Sequence, residues 1–264
     1  MTASGVSGAD AAGPPPPSPP PTLPPPPPRA AFYALPPGGL RDYVTLLHLP
    51  YTAWCLGTVA IGLGLAPGLT WARLGETLAA FALAVGVAAH ALDELRGRPL
   101  GTAIPAGVLW ALAAASLAGA GAIGIVVAVD STLWLLAFVA AGGILVVAYN
   151  LEWPGFHTDA VFALAWGGFP VLTGYFAVAQ TLRAEAVLAA VATALLAHAQ
   201  RRLSTDVRRL RRRVAIVRGE VELADGTVEP LSRAGLLATP EAALRALAAA
   251  TVALGAALVV AQLG

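Results

Sequence analysis

Residues 90–102 read HALDELRGRPLGT, and they close an apolar run, ETLAAFALAVGVAA (76–89). Five ionisable side chains, His90, Asp93, Glu94, Arg96 and Arg98, fall within nine residues. A simple reversal of chain direction needs only Gly, Pro and a few polar residues. The stretch therefore reads as a membrane boundary, as part of a site, or as both.

The rest of the chain takes its class from the same contrast. Of 264 residues, 57% are hydrophobic and 12% charged, where a soluble domain carries roughly 25% charged residues. That balance belongs to a polytopic membrane protein. A span needs about 20 mostly apolar residues, and seven windows qualify, near 43–66, 71–95, 105–129, 132–150, 159–180, 184–203 and 240–263. Pro67-Gly68, Gly97 to Pro105, Asp130-Ser131 and Pro154-Gly155 supply the breaks. The expected fold is all-α, a polytopic transmembrane helix bundle of about seven spans over residues 39–264, with a cytosolic loop at about 204–239.

Residues 14–28 contain twelve prolines. Pro has no amide donor and a fixed φ, so this run favours an extended polyproline conformation. Residues 1–38 are expected to form a disordered cytoplasmic tail, which a proline-reading domain could also dock. No basic segment followed by an apolar core marks a signal peptide there. Cys55 is the single cysteine, which excludes an intrachain disulfide and a Cys-based zinc site. Its expected role is that of a small apolar residue on a lipid-facing helix.

All 16 basic residues are Arg, which reads as coding bias in a GC-rich genome. Their placement gives orientation. Arg96 and Arg98 follow the second window, and Arg201, Arg202, Arg208, Arg209, Arg211, Arg212, Arg213, Arg218 and Arg233 follow the sixth. Arg29 and Arg41 flank the first window; the opposite loops hold chiefly Arg73 and Arg183. The N-terminus is expected in the cytoplasm, and the protein in a bacterial plasma membrane.

Three polar segments carry the unusual chemistry: HALDELRGRPLGT, YNLEWPGFHTD (149–159) and QRRLSTDVRRLRRR (200–213). Each follows an even-numbered window, so all three lie on one membrane face and can converge. On a helix, His90, Asp93 and Glu94 share a face at i, i+3 and i+4. Ionisable groups at the end of a span usually face the protein interior or a watery cavity. Asp93 and Glu94 offer hard oxygen ligands for Mg²⁺, whereas His90 suits hydrogen bonding or proton transfer. The structural alternative pairs Asp93 and Glu94 with Arg96 and Arg98.

In the second segment Tyr149 and Asn150 end a helix, Glu152 follows, and His157 precedes Asp159, where Thr158 or Asp159 would cap the next helix. Tyr149 alternatively anchors the interface. In the third, Arg201, Arg202, Arg208 and Arg209 surround Asp206. Arg recognises phosphate through paired donors in a fixed fork, so a diphosphate or an anionic lipid head is a sensible ligand. Topogenic charge and attraction to anionic lipid are the alternative. Nucleic-acid binding would need a larger basic surface with aromatic platforms. AWGGFPVLTGYF (165–176) should bend or unwind its helix at Gly167-Gly168 and Pro170 and line a cavity. EVELADGTVEPL (220–231) alternates around Asp225-Gly226, a two-residue hairpin signal.

In this order the three segments resemble the UbiA superfamily of intramembrane prenyltransferases, over roughly residues 40–215. LHLPYTAW (47–54) is similar to that family's first-helix entry. The family's first Asp-rich motif, NDxxDxxxD, matches here at Asp93, with Ala89-His90 where Asn-Asp stands and Gly97 at the last Asp; Glu94 is an added neighbour. Asp206 stands in the region of the second motif. The resemblance implies an all-helical UbiA-like fold, usually of nine spans, and Mg²⁺ held by Asp93, Glu94 and Asp206. It implies a prenyl diphosphate held by Arg96, Arg98, Asn150, His157, Arg201, Arg202 and Arg208, with Asp93, Glu94, His90 and Tyr149 at the reacting centre. Two functions follow as expectations: transfer of a prenyl group to an acceptor, or an inactive relative that binds an isoprenoid or lipid or partners another enzyme. A small transporter finds no support, because no inverted repeat and no ionisable residue at mid-membrane depth is present.

Overall fold

A computed structural model describes residues 31–264; the proline run lies outside the described residues. The chain is mostly helical. In order come α1 (Leu40–Leu46), α2 (Leu49–Leu65), α3 (Trp71–Leu95), α4 (Ala106–Asp130), α5 (Leu135–Asn150), α6 (Asp159–Ala179), α7 (Ala184–Arg212), a hairpin of β1 (Glu220–Glu222) and β2 (Val228–Pro230), and α8 (Arg233–Leu263). Among the described residues five helical stretches are long and apolar enough to cross a membrane: 40–65, 71–95, 106–130, 159–179 and 233–263. The protein is an integral membrane protein on that ground. α5 is equally apolar but only 16 residues long. α7 has the length, but its second half carries the arginines.

α2 is the axis of the bundle, wedged between α6 and α8. Backbone approaches there need glycine. A Cβ on Gly62 would collide with the Val171 carbonyl oxygen of α6, and one on Gly255 of α8 would lie 2.6 Å from the Gly57 carbonyl oxygen. Small residues permit such packing, which must hold helices together where lipid offers no hydrophobic drive. Cys55 is fully buried in this packing, which corrects its expected lipid-facing position. α6 and α7 run antiparallel. Their contacts step from Asp159–Arg201 through Gly167–Thr193, where the Thr193 hydroxyl donates to the Gly167 carbonyl at 2.9 Å, to Tyr175–Glu185. Ile125 and Val129 of α4, Leu188 and Leu195 of α7, and Leu254 and Val260 of α8 face outward. Exposed Trp71 and Trp134 mark one end of the bundle and Trp110 and Trp153 the other, the placement of interfacial aromatic belts.

Two helices contain π-helical turns, Ala82–Ala89 in α3 and Leu164–Gly168 in α6. Such turns are rare and concentrate at functional sites. The turn in α6 sits at Gly167-Gly168, just before Pro170, so the regular α-helical winding is interrupted where the sequence predicts a bend or unwinding, and helix resumes at Phe169.

Three boundaries differ from expectation. Order begins before residue 38: Ala34 is buried and the Leu35 N–H donates to Thr45 Oγ1 at 3.1 Å. α7 continues to Arg212 and α8 starts at Arg233, capped by the Ser232 hydroxyl, so the connecting loop spans 213–232. α8 tolerates Pro240 in its interior. The hairpin forms around Asp225, but its loop has three residues. Leu223 and Thr227 pair through the Leu223 N–H at 2.8 Å, and Gly226 sits at φ +83°, the glycine-favoured bulge position of a three-residue loop.

Candidate functional site

The ends of α2, α3, α5, α6, α7 and α8 converge on a cavity of about 1100 Å³ including its open mouth. All three polar segments reach it. Asp93 and His90 come from the end of α3, Tyr149 and Asn150 from α5, Phe162 and Trp166 from α6, Gln200, Ser204, Arg208 and Arg212 from α7, and Leu244 and Ala248 from α8. Its charged lining residues are Asp93, Arg208 and Arg212. Asp93 is half-buried, and the charges of Arg208 and Arg212 act on its carboxylate. Burial, and then the like charges of Arg201 and Arg212, hold the Arg208 guanidinium below its ordinary value. Thr205 Oγ1 accepts from Arg208 at 3.1 Å.

One wall is aromatic. The His48 and His90 rings stack at 5.1 Å, and Tyr51 meets His90 edge-on at 5.9 Å. His90 Nδ1 is 3.2 Å from the Gly86 carbonyl, which opens the π turn of α3 to the ring. His48 sits at φ 45°, between α1 and α2, with its Nδ1 buried and without a hydrogen bond among the described residues. A left-handed non-glycine residue stores strain, and such strain clusters at functional sites. On the other wall Tyr149 stacks on His157 at 4.7 Å and meets Trp166 edge-on at 5.7 Å. The Tyr149 hydroxyl is buried with no hydrogen-bond partner among the described residues. Trp166 also borders a second cavity, of about 860 Å³, between α3, α4, α5 and α6, lined almost wholly by apolar side chains.

Several expected site residues have other roles. Glu94 is fully buried and points away from the cavity. Its carboxylate accepts hydrogen bonds from the Leu100 N–H, the Thr102 N–H and the Thr102 hydroxyl, each at 2.9 Å. It organises the loop after α3. Arg98, at φ 54°, donates to the Thr102 and Ile104 carbonyls of that same loop. Arg96 is exposed and pairs with Glu152 at 3.3 Å. Asp206 is exposed on the far face of α7. The carboxylates of Asp93, Glu94 and Asp206 thus do not converge, and among the described residues no group of three His, Cys, Asp or Glu could hold a metal ion.

The Asp159 region lies beside the cavity. Thr158 caps α6 by accepting the Val161 N–H, and Asp159 accepts from Arg201 Nε at 3.1 Å, with Arg202 at 3.9 Å. Arg201 also lies over the Phe162 ring at 5.1 Å and within 3.5 Å of His157 Nε2. His157 Nδ1 is 3.1 Å from the Tyr149 carbonyl. Asn150 donates to the Val146 carbonyl at 2.7 Å. Arg201 and His157 thereby steady the Tyr149 wall, and Arg202 stays in solvent.

The residues that the sequence reading missed are Tyr33, His48, Tyr51, Trp166 and Arg212. Tyr33 was assigned to the tail and Arg212 to the topological signal. LHLPY carried a usable hint for His48 and Tyr51, two polar aromatics flanking a proline at a span entry. No family model, curated protein or solved structure matches the chain.

Proposed function

We propose that this chain is a UbiA-like membrane protein of about seven passes that binds an isoprenoid diphosphate by its head in the polar cavity. The observation that carries this reading is the charge of the lining, two guanidiniums against one carboxylate in a half-enclosed site. An anion would offset the like charges of Arg201 and Arg212 that act on Arg208, and paired Arg donors match phosphate oxygens. The apolar cavity beyond Trp166 offers the adjoining space that a hydrocarbon chain needs. In the orientation given by the arginines, the polar cavity faces the cytoplasm.

A second reading is prenyl transfer, favoured by Asp93, His90 and Tyr149 lining one cavity, with a Tyr149 hydroxyl that has no hydrogen-bond partner among the described residues. The bond between the allylic carbon and the diphosphate would break. The diphosphate would depart onto Arg208 and Arg212, whose fixed charge stabilises it as it forms. An acceptor atom would bond to the allylic carbon and release its proton. Because the carboxylates do not converge, no step is assigned to Mg²⁺.

The test is binding of farnesyl diphosphate to the purified protein in nanodiscs, with Mg²⁺ and with EDTA. Binding that survives EDTA and falls at least tenfold in Arg208→Ala is expected. Binding that requires Mg²⁺ and Asp93 would favour the transfer reading, and no binding would overturn both.

A further inference from the structure

The segment just before α1 lines the polar cavity. The Phe32 ring lies 5.4 Å from the guanidinium carbon of Arg245 in α8. The next ring, Tyr33, packs 4.4 Å from His48 at the α1–α2 junction. The Ala34 N–H closes a turn onto the Ala31 carbonyl at 3.2 Å, and the Leu35 N–H donates to Thr45 Oγ1 of α1 at 3.1 Å. The strap is thus moored to α8 on one side and to α1 and the α1–α2 junction on the other.

Ala31, Phe32 and Tyr33 all line the cavity. The charges of Arg212, Asp93 and Arg208 reach the Tyr33 hydroxyl. That hydroxyl is buried and has no hydrogen-bond partner among the described residues. A buried donor is almost always satisfied in a folded protein, so its position calls for an acceptor inside the cavity. Burial raises the phenol above its ordinary value, so at neutral pH the group is a donor and not an anion. The moorings are a cation–π contact, a ring stack and a single side-chain hydrogen bond, each individually weak.

We propose that residues 31–35 form a lid over the head-group cavity, and that the Tyr33 hydroxyl donates a hydrogen bond to the bound phosphate oxygens. This rests on the anionic-head reading given under Proposed function. It adds that ligand entry and exit require the strap to lift, and that closure places one donor on the ligand opposite the arginines.

The test uses the full chain in nanodiscs, with farnesyl diphosphate and, separately, inorganic diphosphate as probes. Tyr33→Phe keeps both ring contacts and removes only the donor. It should weaken binding about tenfold, through a faster off-rate with the on-rate unchanged, as expected for one hydrogen bond to a charged group. Phe32→Ala loosens the mooring without touching the head group, and should raise on- and off-rates together. Hydrogen exchange at the Leu35 amide should slow when ligand binds. An effect on both probes assigns Tyr33 to the phosphates; an effect on the farnesyl compound alone would overturn that contact. If wild type binds and Tyr33→Phe shows the same rates, or if Leu35 exchange ignores ligand, the lid is overturned and the cavity reading stands. If wild type binds neither probe, the cavity reading falls and the lid falls with it. Melting of each variant without ligand separates a folding defect in Phe32→Ala, in which case Tyr33→Phe alone decides.

Discussion

Glu94→Ala removes an acceptor of three hydrogen bonds, all at 2.9 Å and all from the loop over residues 100–102. The side chain is 0% exposed, so the deserted donors gain no water in exchange. Hydrogen bonds to a charged group contribute about 1.5–3 kcal/mol each, and even the low end of that range gives about 4.5 kcal/mol for three. At roughly 2–4 °C per kcal/mol for a domain of this size, the melting temperature should fall by on the order of 10 °C. Glu94→Gln keeps an oxygen toward Thr102 but turns an amide donor toward the Leu100 N–H, so a loss of about 2 kcal/mol is expected. The assay is thermal unfolding in detergent, followed by the fluorescence of the buried tryptophans, beside ligand binding on the same samples. If Glu94→Ala melts within about 2 °C of wild type yet loses Mg²⁺-dependent binding, the loop-organising role is refuted and the carboxylate is a metal ligand after all.

Gly62→Ala drives a methyl group into the Val171 carbonyl; α2 and α6 must part, and overpacking of about 1–3 kcal/mol should lower the folded yield and the melting temperature. Arg96→Ala should leave both stability and ligand binding within error, because its pair with Glu152 is exposed on both sides and such pairs contribute about 0–1 kcal/mol. The Asp225 carboxyl is held below its ordinary value of 3.8 by the Thr227 N–H, at 2.9 Å. A depressed carboxyl stabilises the hairpin turn above its unfolded value, and that contribution is lost as pH falls through the lower, folded one. Thr227 amide exchange, followed down a pH series and corrected for intrinsic rate, should lose protection below about pH 4 in wild type, and Asp225→Asn should show no such step.

The helical class, the apolar windows that became helices and the convergence of three polar segments on one end of the bundle were legible in the sequence. Hydrophobic run length and arginine placement report directly on burial in lipid. The division of labour inside HALDELRGRPLGT was not. Spacing of i, i+3 and i+4 puts His90, Asp93 and Glu94 on one face of the short helical stretch His90–Leu95, but spacing does not say which way each side chain turns where that helix ends. Two of them then reach the cavity, and Glu94 turns to the loop amides that follow. No periodicity reveals which acceptor a downstream N–H will choose. The strap was missed because twelve prolines dominate the reading of the N-terminus. The signal that could have found it is the pair Phe32-Tyr33, two adjacent aromatics ahead of the first span. The turn at Asp225-Gly226 was read correctly in place but one residue short, since loop length depends on whether Leu223 and Thr227 pair.

The most direct test of the central claim is an experimental structure of the protein in nanodiscs with a non-hydrolysable farnesyl thiodiphosphate. The account predicts diphosphate density in the polar cavity, within hydrogen-bonding distance of Arg208 and Arg212 and beneath Tyr33, with the chain running past Trp166. An unfilled polar cavity at saturating ligand, or a head group bound at the exposed arginines of the 213–232 loop, would contradict it.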